Sequence, residues 1–263
     1  MGIVNVTPDS FSDGSRFLDA PRAIAHGRRL VDEGADILDI GGESTRPGAE
    51  PVSLDEELRR VLPVVEGLSS LAVPVSIDTY KVEVMRAALD AGASMINDVN
   101  ALRGEGTLDA ARSSNCGVCL MHMQGNPQTM QLCPQYGDVV AEVREFLAQR
   151  VAACEAVGIA RERLVVDPGF GFGKSKAHNL QLLRHLNAIA SLGVPVLAGL
   201  SRKSTLGKIT GKPALERVSE SVAAALLAVQ RGAAIVRVHD VDETHDALLV
   251  LAAIEDSTPL NPS

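Results

Sequence analysis

Three segments of the chain repeat one pattern of apolar and polar positions: Gly34-Ala-Asp-Ile-Leu-Asp39, Gly92-Ala-Ser-Met-Ile-Asn97 and Gly232-Ala-Ala-Ile-Val-Arg237. In each, a glycine closes a helical stretch, a short apolar run follows, and a polar side chain stands five residues after the glycine. Glycine accepts the left-handed conformation that ends a helix, and a parallel strand covered on both faces is apolar throughout, so the pattern reads as a helix C-cap feeding a buried parallel strand. Apolar runs of the same kind span Ile3 to Val6, Val73 to Ile77, Val118 to Met121, Leu164 to Val166 and Val194 to Ala198, which brings the predicted strands to eight. Helical patterns lie between them. Asp19 and Pro21 open one that carries Ala23, Ile24, Gly27, Leu30 and Val31 on one face. Ser53 with Glu56 forms a capping box before Leu54, Leu58, Val61, Leu62 and Val65, and Pro63 is expected to kink that helix.

Eight strand–helix units in 263 residues come to about 33 residues each, the size of a barrel unit. No Gly/Ser linker or compositional break interrupts the alternation. The predicted architecture is therefore α/β, a single (β/α)8 TIM barrel over residues 1–255 with a loose C-terminal tail at 256–263; a doubly wound open sheet is the alternative. With 46% hydrophobic and 22% charged residues the chain can bury a full core. The net charge is -8 and no run of Lys or Arg gathers a positive field, which argues against a nucleic-acid partner. The longest apolar runs, such as Ala247 to Ile254, are far shorter than the roughly 20 residues a membrane helix needs. Met1-Gly-Ile-Val-Asn5 has neither the charged nor the apolar region of a secretory signal, so the expected location is cytoplasmic. The four cysteines are too few for a disulfide scaffold, and no second C-x-x-C completes a zinc site with Cys116-Gly-Val-Cys119, so buried thiols are expected there.

A barrel sets the C-terminal ends of its strands on one face, where active sites of this fold sit. The residues there, in strand order, are Asn5, Asp39, Asp78, Asn97, His122 and Asp167, then Ser201, Arg202 and Lys203 beyond the seventh strand, and Arg237 with His239 at the eighth. Taken singly, Asp78 before Thr79 and Asp167 before Pro168 fit capping equally well, but capping does not account for the whole ring. Carboxylates and amides around a barrel mouth suit a ligand with donors and acceptors along a planar edge. Aromatics are scarce, five Phe, two Tyr and no Trp, yet Phe11, Phe170 and Phe172 fall in loops dense in Gly, Asp and Ser, where a core role is least expected and stacking on a flat ring is the better use. For Phe172 a plug of the barrel top is the competing reading. Cations gather at Ser44-Thr45-Arg46, Ser201-Arg-Lys-Ser204 and Arg237-Val-His239, a composition suited to phosphate. Gly169 to Ser175 imitates a nucleotide-binding phosphate loop, but that motif demands glycine where Pro168 stands, which argues against an NTPase.

Eight blocks in order carry a family resemblance over nearly the whole chain. They are Asn5-Val-Thr-Pro-Asp-Ser-Phe-Ser-Asp-Gly14, Asp39-Ile-Gly-Gly-Glu-Ser-Thr-Arg-Pro-Gly48, Ile77-Asp-Thr79, Asn97-Asp98, Leu120-Met-His-Met-Gln-Gly-Asn-Pro127, Asp167-Pro-Gly-Phe-Gly-Phe-Gly-Lys174, Ser201-Arg-Lys203 and Arg237-Val-His-Asp240. Together they resemble the dihydropteroate synthase family. The resemblance implies a homodimeric barrel transferase of folate biosynthesis and a sulfonamide target. Such an enzyme joins 6-hydroxymethyl-7,8-dihydropterin diphosphate to 4-aminobenzoate with the help of Mg²⁺, giving 7,8-dihydropteroate and pyrophosphate. Carried over residue by residue, it places Asp78, Asn97, Asp167 and Lys203 on the pterin, with Met121 and Phe172 flanking the ring and Arg237 stacked on it. Thr45, Arg237 and His239 fall to the diphosphate, Phe11, Ser12, Asp13, Arg46, Pro47 and Ser204 to the aminobenzoate, and Asn5 to the metal. Asp13, Asp78 and Lys203 carry the catalytic roles. If the C–O bond to the diphosphate breaks first, the methylene becomes cationic and Asp13 and Asp78 stabilise it, so a dissociative route is expected. Rival readings are a pterin-binding methyl-transfer domain of the same fold, a Schiff-base enzyme using Lys203, and an inactive binding module. The loops Thr7 to Leu18 and Gly42 to Val52 are too polar to stay closed by apolar burial, so aminobenzoate is expected to bind only after metal and diphosphate.

Overall fold

The computed structural model describes residues 1–7, 19–45, 48–126 and 129–255. All eight strands are present: β1 (Gly2–Asn5), β2 (Leu38–Gly41), β3 (Val75–Asp78), β4 (Met95–Asp98), β5 (Gly117–Met121), β6 (Leu164–Asp167), β7 (Val196–Ala198) and β8 (Ala233–Val236). Each pairs in parallel with the next. The sheet then closes on itself, because the Ile3 amide donates to the Val238 carbonyl at 3.1 Å and the Val238 amide to the Met1 carbonyl at 3.0 Å. That closure makes the architecture a (β/α)8 barrel and removes the open-sheet alternative.

Alternation along each strand sorts the side chains. Val4, Ile40, Ile77, Ile96, Leu120 and Val166 point outward into the main core beneath the helices. On the inside, Met1, Met95, Cys119 and Leu197 pack with Ile37, Val165 and Ile235 to fill the barrel floor. Above that floor the inner face becomes polar. Cys116 and Cys119 stand three residues apart and so take opposite sides of the sheet, the first in the outer core and the second inside the barrel. All four cysteines are free, and Cys133 is exposed.

The helices are α1 (Asp19–Asp32), α2 (Leu54–Leu68), α3 (Val82–Asp90), α4 (Thr107–Arg112), α5 (Val139–Ala156), α6 (Lys176–Arg184), α7 (Leu186–Ala190), α8 (Ser204–Thr210), α9 (Val218–Val229) and α10 (Val241–Glu255). The capping box expected at α2 is half made. Ser53 Oγ accepts the Glu56 amide at 3.3 Å, but the Glu56 carboxylate is taken by Arg59 and Arg60, and α2 runs through Pro63 as one helix. A complete box caps α6 instead, where Ser175 Oγ accepts the His178 amide and the His178 ring accepts the Ser175 amide.

Candidate active site

Arg237, just past β8, turns its guanidinium into the barrel between two carboxylates. Its Nε donates to Asp39 Oδ2 at 2.6 Å and its Nη2 to Asp78 Oδ2 at 2.9 Å. Asn97 Nδ2 donates to the same Asp39 oxygen at 3.0 Å, so one buried cluster ties the ends of β2, β3, β4 and β8. Asp39 has no exposure, and the paired guanidinium is what makes a buried charge tolerable there. Burial pushes the Asp78 carboxyl up to about 7, against the pull of Arg237. In the sequence Asp39 was one member of a ring; the structure makes it the point on which Arg237 and Asn97 converge.

Across the mouth, Asp167 Oδ1 accepts the Gly169 amide at 2.7 Å, and its second oxygen has no partner among the described residues. Burial raises this carboxyl above its usual range, with the Gly169 amide and the charges of Lys203 and Lys174 pulling it back. Met121 stands beside Asp167 in register, and Asn97 beside Asp78. Met121, Phe172, Val99, Met123 and Met130 form a buried apolar cluster of their own, with Tyr80 packed on it. Lys203 Nζ sits 4.2 Å from the centre of the Phe172 ring. An apolar wall thus adjoins acidic and amide groups, with one cation over the aromatic ring. Phe170, also expected at the mouth, is 2% exposed and belongs to the main core. Two residues apart, the rings would face the same way along a strand, but Gly171 between them takes φ +81°, and the turn sends one ring under the helices and the other to the mouth.

On the anion side, the Ser201 hydroxyl accepts the His239 amide at 3.1 Å and meets His239 Nδ1 at 3.0 Å. Burial, with the charges of Arg237 and Arg202, pushes His239 down to about 3, so its ring is neutral. Lys203 occupies the N-cap position of α8, and Ser204, exposed, begins that helix. Arg202, one of the cations gathered in the sequence, is not held for a ligand: its guanidinium grips both oxygens of Asp240, with Nε 3.1 Å from Oδ2. Asn5, the last residue of β1, and Thr45, in the loop after β2, are half-buried. Phe11, Ser12, Asp13, Arg46 and Pro47 lie outside the described residues.

Two lysine-centred networks were missed in the sequence. Lys81 Nζ donates to Glu43 at 2.5 Å, to the Val52 carbonyl at 2.7 Å, and to Glu57. Thr79 donates to Glu57 at 2.7 Å and Tyr80 to Glu43 at 2.8 Å. The described part of the loop Gly42 to Val52 is therefore anchored by charge rather than by apolar burial. Lys174 is buried behind the glycine-rich segment after β6, and burial lowers its ammonium to about 7. Its neighbour His122, placed in the mouth ring by the sequence, is 7% exposed and packs edge-on against Phe146, with burial and Lys174 pushing it down to about 3.

The model of the family described as "Pterin binding enzyme" matches residues 1–239. The dihydropteroate synthase of Neisseria meningitidis serogroup B is 55% identical over 261 residues, covering 97% of this chain and 92% of that protein. The chain belongs to the dihydropteroate synthase family. Dihydropteroate synthases also supply similar solved structures. That of Xanthomonas albilineans with 4-aminobenzoic acid is 59% identical with a TM-score of 0.93, covering 98% of this chain and 93% of that one. The same organism's enzyme in complex with 7,8-dihydropteroate is 55% identical with a TM-score of 0.89, covering 98% and 94%. As a dihydropteroate synthase the chain is a transferase, and the methyl-transfer reading falls away.

Proposed function

We propose that the chain condenses 6-hydroxymethyl-7,8-dihydropterin diphosphate with 4-aminobenzoate to give 7,8-dihydropteroate and pyrophosphate. The observation that carries this reading is the juxtaposition of Asp78, Asn97 and Asp167 with the apolar wall of Met121 and Phe172. A flat heterocycle with N–H groups on its edge satisfies both halves at once. The unpartnered Asp167 oxygen accepts from the amino-pyrimidine edge, Lys203 donates to the ring carbonyl and nitrogen, and Arg237 covers a ring face. The C–O bond then breaks with its electron pair leaving on the diphosphate. The anionic form of Asp78, which Arg237 favours against the effect of burial, faces the methylene cation together with Asp13. The neutral amine adds its lone pair and loses a proton. Because Ser201 accepts the His239 amide, its own proton can go to Nδ1, which leaves Nε2–H of the neutral ring for the diphosphate beside Thr45 and Arg237. Phe11, Ser12, Arg46, Pro47 and Ser204 surround the aminobenzoate.

Among the described residues no group of three His, Cys, Asp or Glu could cage a metal, and Asp39 and Asp78 are committed to Arg237. That donor set fits Mg²⁺, which keeps its waters and needs little more than one hard oxygen, that of Asn5, beside a diphosphate. When bound, it supplies charge stabilisation to the departing diphosphate. Purified protein mixed with the pterin diphosphate, labelled 4-aminobenzoate and Mg²⁺ should release labelled dihydropteroate, and a sulfonamide should suppress it; no labelled product refutes the reading.

The reading extends to a homodimer. Leu227 on α9 and Leu249, Val250 and Ile254 on α10 are exposed on helices that pack together. Light scattering should give a dimer mass that Val250→Asp lowers, and a monomeric wild type would refute it. No helix among the described residues is long and apolar enough to cross a membrane. An exposed free thiol at Cys133 suits the reducing cytosol.

A further inference from the structure

Lys174 closes the glycine-rich segment after β6 with its side chain 2% exposed. Its ammonium meets the carbonyls of Gly169 at 2.9 Å and Phe172 at 3.0 Å, Nδ1 of His122 at 2.9 Å, and the His122 carbonyl at 3.4 Å. A buried ammonium is costly unless fully hydrogen-bonded, and among the described residues no carboxylate forms an ion pair with Lys174. Asp167 supplies the opposing charge at one remove, holding the amide of Gly169 while Lys174 holds the carbonyl of that residue. The position tolerates only glycine: Gly169 has φ +68°, and a Cβ there would lie 1.9 Å from the His122 carbonyl oxygen.

The rest of the segment has other anchors. The Gly171 amide donates to Asn179 at 2.8 Å, its carbonyl accepts from Gln131, and the Gly173 carbonyl accepts from the Tyr136 hydroxyl at 2.9 Å. What Lys174 fixes is the turn from Gly169 to Phe172, in which the Phe172 amide donates to the Gly169 carbonyl at 3.1 Å. It also bonds His122, the residue after Met121. The two side chains that form the apolar wall, Met121 and Phe172, come from different strand ends, and Lys174 reaches the backbone beside both.

We propose that Lys174 is a positioning residue for the pterin, gathering the Gly169–Phe172 turn onto the end of β5 so that the Phe172 ring is set against Met121 and Lys203. It acts through Phe172 and does not touch the substrate. The proposal rests on the pterin-site reading above. Lys174→Met removes every donor at similar length. It should raise KM for the pterin diphosphate about tenfold or more while KM for aminobenzoate moves less than about threefold, and Lys174→Gln, which keeps two donors, should recover part of the loss. In a Phe172→Ala background, Lys174→Met should add less than about threefold, because the ring it sets is gone. Full multiplication of the two effects, or an unchanged pterin KM in a folded Lys174→Met protein, overturns the proposal. If Lys174→Met does not fold, Lys174→Gln carries the same cycle, and calorimetric titration of the pterin diphosphate runs it without turnover. A wild type that makes no dihydropteroate defeats the functional reading, whereas an active wild type with a multiplicative cycle defeats this proposal alone.

Discussion

Asp167 has one oxygen committed to the Gly169 amide and one left over, so a ligand's N–H groups have a single acceptor to use there. Asp167→Asn keeps the shape, but whichever way its amide turns, a donor replaces an acceptor at the Gly169 amide or toward the ring. Losing a charged hydrogen bond costs roughly 1.5–3 kcal/mol, and the unmatched donor adds to it. Calorimetry should show pterin affinity reduced at least about tenfold in a folded variant; unchanged binding would remove Asp167 from the site. The carboxylates of this site are readable in the sequence because each ends an apolar run at a position the barrel defines. Lys174 is not readable. A lysine in a Gly-rich loop ordinarily faces solvent, and only the approach of the His122 backbone, 52 residues away in the chain, gives its ammonium a buried place.

At the scale of elements, α2, α3 and the loop after β2 are joined by one ammonium. Glu57, on the first turns of α2, is 1% exposed, and Lys81 at the start of α3 pairs with it and with Glu43. Lys81→Met leaves the Glu57 carboxylate buried with the Thr79 hydroxyl and no counter-charge, which costs about 3–5 kcal/mol. The denaturant midpoint should fall accordingly. Adding Glu57→Gln to Lys81→Met should restore part of it, since no unpaired charge then stays inside; a double variant weaker than the single would show that the carboxylate was not the source of the loss. Strands and helices were legible because their signals are local, a glycine C-cap before an apolar run or one apolar face between turns. This network was not, since its partners stand 24 and 38 residues apart and each alone reads as a solvated charge. The half-made box at α2 has the same origin: Arg59 and Arg60 outcompete the backbone for the Glu56 carboxylate.

Across the whole molecule, two groups of buried side chains set opposite responses to acid. His122 and His239 are pushed down to about 3 from 6.5 by burial, so the folded state declines a proton that the unfolded chain accepts. Their contribution is complete above the unfolded value and is lost as pH falls from about 6.5 toward 3. Asp98 and Asp78 run the other way, raised by burial to about 6 and about 7 from 3.8. The folded state holds their protons more firmly than the unfolded chain does, so that contribution is complete below the unfolded value and is lost as pH rises toward the folded one. Between about pH 5 and pH 7 each of these groups changes stability by roughly 1–2 kcal/mol, with opposite signs for the two sets, and both sets shape the stability curve in that range. Single substitutions should tilt it. His122→Gln keeps an acceptor for Lys174 but cannot protonate, and relative to wild type it should gain about 1–2 kcal/mol on going from pH 7 to pH 5. Asp98→Asn should tilt the curve the other way, losing ground to wild type in acid. Urea midpoints at several pH values decide the matter: a His122→Gln curve parallel to wild type would mean that His122 is not held neutral in the fold, and with it the hydrogen bond from Lys174 to its ring would be gone.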